Sequence, residues 1–174
     1  MLNTKKLKLI VISIMLLLGM YMLTGCEFLN KDLEDNEEEK IKIEAYEEPL
    51  ENIINGLVKA DSETFLKAFP DFIVVHMQDI YTDEYLEGVA KVLKDEYGDN
   101  VKMSYKIKEK IDIDADALRN VENEMRNNFE KKVTITRGYE LKVDVTTKGK
   151  NAEDTKDDVF KVFEIDGKWY ILDL

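Results

Sequence analysis

The chain has 174 residues, of which 44% are apolar, and a formal net charge of −12, with two prolines and eight glycines. That is about one domain's worth of chain, with enough apolar side chains to bury a core and a surface too acidic to attract nucleic acid phosphates. A single cysteine and a single histidine exclude an internal disulfide and a zinc site of the Cys/His type.

Met1 to Cys26 has a basic start (Lys5, Lys6, Lys8), an apolar run from Leu9 to Leu23 and a small-residue end at Thr24 and Gly25. This is the pattern of a secretory signal over residues 1–25. The apolar run falls short of the roughly 20 residues that a helix needs to cross the hydrocarbon. Leu23-Thr24-Gly25-Cys26 resembles the lipobox of bacterial lipoproteins at every position. The resemblance implies that the Cys26 thiol receives a diacylglyceryl group and that Cys26 becomes the mature N-terminus. It places the protein at the cell membrane, lipid-anchored on the extracytoplasmic face, since two or three acyl chains attach durably.

From Glu27 to Glu51 eleven acids stand against Lys31, Lys40 and Lys42. Like charges at this density resist compaction, so residues 26–46 are expected to be an acidic tether holding the domain some 25 Å from the bilayer. Ile41, Ile43 and Ala45 alternate with polar residues and allow a short docking segment there.

The folded domain is expected over residues 47–174. Pro49 suits the first turn of a helix whose Leu50, Ile53, Ile54 and Leu57 share a face. Asp61 or Ser62 caps a second segment with Phe65, Leu66 and Phe69 inward, stopped by Pro70, and Phe72 to Met77 is an apolar run of undetermined state. Thr82 caps a helix that carries Leu86, Val89, Ala90, Leu93 and Tyr97 to Gly98. The period then changes to two: Val101, Met103, Tyr105, Ile107, Ile111 and Ile113 alternate with a polar set that includes Lys108 and Lys110. Asp114 or Asp116 caps a further helix with Leu118, Val121, Met125 and Phe129 inward. Val133 to Val145 restores the strand pattern, with a bulge or bend expected at Gly138. Val159 to Ile165 and Lys168 to Leu174 form a hairpin through Asp166-Gly167.

In a two-residue turn Phe163 opposes Tyr170 on one face, while Val162 opposes Ile171 on the other, which also carries Phe160 and Trp169. Apolar groups on both faces call for a cover on each: the monomer's own core, a pocket, a partner or a second copy through the sheet face. The candidate binding residues are Tyr105, Tyr139, Phe160, Trp169 and Tyr170.

Helices first, then a strand, a helix and a curved run of strands ending in Phe163-Glu164-Ile165-Asp166-Gly167-Lys168-Trp169-Tyr170-Ile171 resembles the NTF2-like and cystatin-like fold. In particular it resembles the small lipoproteins of Gram-positive bacteria that use this fold. The resemblance covers Glu47 to Leu174 and is specific at the Asp61 helix break and the closing Asp-Gly-Lys-Trp-Tyr. It implies an α+β domain with N-terminal helices packed on a curved antiparallel sheet, sometimes dimeric through the sheet. Members include enzymes, binding proteins and accessory domains, so the fold leaves function open.

Chemistry-bearing residues are few. His76 is the only imidazole for Ser62 and Ser104, which have evident places at a helix cap and on a wet strand face, so no catalytic residue is assigned. Asp112, Asp114 and Asp116 alternate like the opening of a calcium loop, but Ala117 and Asn123 stand where glycine and a bidentate glutamate belong. No metal or cofactor is expected. The leading expectation is a non-enzymatic lipoprotein that binds a protein or small-molecule ligand through its sheet. A pocket enzyme using an Asp or Glu with Tyr105, Tyr139, Tyr170 or His76 is the alternative, which needs a cavity of roughly 300 Å³ with converging polar groups. An inhibitor or immunity-type protein with an acidic docking surface is the third.

Overall fold

A computed structural model describes residues 44–172; the leader, Cys26 and the tether up to residue 43, with Ile41 and Ile43, lie outside the described residues. The chain begins with a 3-10 turn, Ala45–Glu47, followed by α1 (Glu48–Lys59), α2 (Ser62–Leu66), α3 (Asp71–Met77), α4 (Asp83–Tyr97), β1 (Lys102–Asp112), α5 (Ala115–Phe129), β2 (Ile135–Lys148), β3 (Glu153–Ile165) and β4 (Lys168–Ile171). The architecture is α+β, with a curled four-stranded antiparallel sheet in the order β1-β2-β3-β4.

Local chemistry explains most boundaries. Pro49 sits in the first turn of α1, where its missing N–H costs nothing. Asp61 caps α2 by accepting from the Thr64 N–H, Thr82 caps α4 by accepting from Tyr85, and Asp114 caps α5 by accepting from Asp116 and Ala117. Pro70 both ends the turn after α2 and opens α3, so the apolar run at Phe72–Met77 is helical. Asp166 and Gly167, at φ 52° and 77°, make the two-residue turn that sets Ile165 opposite Lys168.

The two faces of the sheet follow from the register. The inner face carries Leu141, Val143, Val162 and Ile171, all buried, and α1 packs across β1 and β4. The outer face carries Phe163 and Tyr170, with α5 packed on β2. At Gly138 a Cβ would lie 2.9 Å from Leu118 Cδ2 and from Phe163 Cδ1, so α5 approaches the sheet through a gap that only glycine leaves.

Three expectations are corrected. The second bulge lies between Ile135 and Arg137, two residues before Gly138, whose role is close approach and not register. A first bulge between Ile107 and Glu109 breaks the alternation of β1, so Ile111 pairs with Glu140 on the outer face and is 38% exposed, while Lys110 pairs with Leu141 on the inner face. Finally, β3 starts at Glu153 rather than near Val159. Its first half pairs wet side chains, Thr155 with Thr146 at 2.9 Å and Glu153 with Lys148 at 2.8 Å, and so shows no apolar period.

Candidate functional site

All four strands meet at one corner of the inner face. Tyr139 of β2 and Trp169 of β4 stack, with ring centroids 5.1 Å apart and planes at 11°. Tyr46, from the turn before α1, meets both edge-on, at 5.3 Å and 6.1 Å. Lys110 Nζ of β1 lies 4.5 Å from the Tyr46 ring and 4.6 Å from the Tyr139 ring, and the Arg137 guanidinium lies 5.3 Å from Trp169. The strand register explains why cations stand there. The first bulge shifts β1 by one residue and turns Lys110 onto the inner face; Arg137 lies there by plain alternation with Tyr139 and Leu141, and the second bulge, just before it, turns Ile135 to the outer face instead.

Glu164 of β3 fixes the guanidinium: Arg137 Nε and one terminal nitrogen donate to its two carboxylate oxygens at 2.8 Å and 3.1 Å, and Thr136 donates at 2.6 Å. The Arg137 and Thr136 hydrogen bonds hold the Glu164 carboxyl down at about 2. At the other side, the Tyr105 hydroxyl donates to Glu47 at 3.1 Å. Burial first, and the Glu47 charge second, push the Tyr105 hydroxyl well above its ordinary value. The same two causes raise Tyr46. Edge-to-face and stacked ring pairs contribute about 0.5–1.5 kcal/mol each beyond their buried area, and two of the three pairs in the corner involve the first described turn.

Of the candidate residues, Tyr105, Tyr139, Phe160 and Trp169 share the inner face, whereas Tyr170 lies on the outer face opposite Phe163. Trp169 is 8% exposed and Tyr139 is half-buried, with Tyr46 packed against both. Tyr46, expected at the end of the tether, is therefore part of the folded body. Lys110 escapes sequence reasoning because strict alternation assigns it to the wet face; Arg137 and Glu164 fall on the face of Tyr139 and Val162 by alternation, but as charges they give no apolar signal. The warning was Glu109, a charge standing where the apolar period of β1 calls for a hydrophobe.

The remaining candidates do not converge. His76 ends α3 against Phe129, with centroids 5.7 Å apart; Ser62 opens α2, its N–H donating to Asp83; Ser104 is exposed on β1. Asp114 is spent on its cap and Asp116 pairs with Arg119. Among the described residues no group of three or more His, Cys, Asp or Glu side chains is placed to hold a metal ion. An open furrow of about 520 Å³ runs on the outer face beside the first bulge, over Val159 and between Lys108, Glu109, Lys142 and Asp157. It meets the volume expected of a pocket enzyme, but no tyrosine or histidine lines it. Its lysines are already paired, Lys142 with Glu109 at 2.6 Å and Lys108 with Asp144 and Asp157 at 3.1 Å and 3.4 Å.

No protein-family model, curated protein or solved structure matches the chain significantly.

Proposed function

We propose that this chain is a lipoprotein of the extracytoplasmic membrane face, acylated at Cys26, whose NTF2-like or cystatin-like domain binds its ligand without transforming it. The observation that carries the reading is Leu23-Thr24-Gly25-Cys26 behind a basic and apolar leader, with Cys26 the only thiol of the chain. The acidic stretch that follows serves as the leash, and it ends on the body at Tyr46.

Binding is favoured over catalysis by the state of the corner's own groups. A general acid or base works best with a pKa near the operating pH. Glu164 is held ionised by Arg137 far below neutrality, and the Tyr105 proton is committed to Glu47. Stacked rings with cations over them instead suit the holding of a planar or anionic group. Growth with labelled palmitate tests the anchor: label is expected in the parent chain and absent from Cys26→Ser. An unlabelled parent chain overturns the reading.

A further inference from the structure

The Tyr46–Glu47 dipeptide sits in the corner in the manner of a bound ligand. The Tyr139–Trp169 stack and the Arg137–Glu164–Thr136 network join β2, β3 and β4 without its help, so the seat persists when the dipeptide leaves. The dipeptide is held in the corner by ring contacts, by Lys110 and by the hydrogen bond from Tyr105 to Glu47. Its 3-10 turn has no side-chain cap, and Glu44 and Ala45 are exposed. Directly behind it Pro49 and Leu50 are buried and anchor α1 independently of the turn.

We propose that this corner is a binding site for a partner peptide in which an aromatic residue is followed by an acid, and that the chain's own Tyr46–Glu47 fills it until such a partner arrives. The chemistry of the seat selects that pair of residues. Tyr139 and Trp169 receive the aromatic side chain in T-shaped contacts, Lys110 covers its face, and the Tyr105 hydroxyl donates to the carboxylate one residue on. Self-occupancy lowers the apparent affinity for the partner by the fraction of molecules in which Tyr46 is out. The inference rests on the binding role proposed above, but it does not depend on acylation.

Trp169 is the chain's only tryptophan and reports on the corner directly. The probe is acetyl-Ala-Tyr-Glu-amide, with acetyl-Ala-Ala-Glu-amide as control, titrated against the full chain in detergent. In Tyr46→Ala the Trp169 emission should shift to the red. The tyrosine peptide should reverse that shift saturably, with an affinity about tenfold or more above that for the parent chain. The control peptide should do nothing, and Lys110→Met in the same background should weaken the tyrosine peptide. A folded Tyr46→Ala chain that shows no saturable response, or binds no better than the parent, overturns the proposal. Should Tyr46→Ala fail to fold, the Trp169 indole N–H resonance is followed in Glu47→Gln, which loosens the plug: a larger peptide-induced shift than in the parent supports the site, and an equal or absent shift overturns it. Failure of palmitate labelling with intact peptide binding would reject the anchor alone; the reverse would reject this site alone.

Discussion

The two faces of the sheet are built from the same four strands and carry opposite solutions for their charges. On the inner face Lys110 and Arg137 stand over aromatic rings, and the corner around them is closed by Tyr46. On the outer face Lys108 and Lys142 reach carboxylates across neighbouring strands in open solvent, where Val159 is 52% exposed. Lys108 and Lys110 are two residues apart and, in a regular strand, would share a face. The bulge between Ile107 and Glu109 separates them. The cations are exposed on both faces, but those of the inner face stand over rings that are themselves buried or half-buried, whereas the outer pairs join groups that are mostly wet. Removal of side chains should therefore cost much on one face and little on the other.

The largest effect is expected from Trp169→Ala, which empties the centre of the inner corner and should lower unfolding stability by about 3 kcal/mol in urea titrations. A loss no larger than that of an outer-face substitution would break the contrast. Gly138→Ala comes next, since the added methyl meets the buried Phe163 ring and the end of Leu118. A cost of about 1–2 kcal/mol is expected, read from the same titrations, with α5 the element most loosened in hydrogen exchange. Tyr46→Ala should cost about 1 kcal/mol, because two ring contacts go but the Tyr139–Trp169 stack stays.

The Arg137–Glu164 pair gives a pH signature. The Glu164 carboxyl lies at about 2 in the folded chain against an ordinary 4.5, so the stability it lends is complete above about pH 4.5 and drains away as pH falls towards 2. Glu164→Gln should flatten stability against pH in that window; equal slopes for parent and variant would show that the pair contributes nothing. The smallest effect belongs to Val159→Ala on the open face, within about 0.5 kcal/mol, and a larger loss would mean that something covers the furrow.

Much of the fold was legible because it rests on local rules. Asp61, Thr82 and Asp114 cap helices as their side-chain oxygens dictate, and Asp166-Gly167 turns the last hairpin because both residues tolerate positive φ. The pairing of Phe163 with Tyr170 and Val162 with Ile171 followed from that turn alone. The first half of β3 was invisible, since backbone pairing with β2 holds it in the sheet without an apolar stripe. The site was only half visible: Tyr105, Tyr139 and Trp169 show as strand aromatics and Arg137 shares the face of Tyr139 by alternation, while Lys110 and Tyr46 join them through a bulge and a turn.

The amino-acid sequence by itself determined most of the elements, many of their ends, the α+β class and the hairpin register, because caps, turns and apolar periods act over a few residues. Tertiary structure alone decided that Lys110 faces the inner side of the sheet and that Tyr46 closes the corner. A register shift of one residue is set by the pairing of whole strands, and no window of sequence contains both partners.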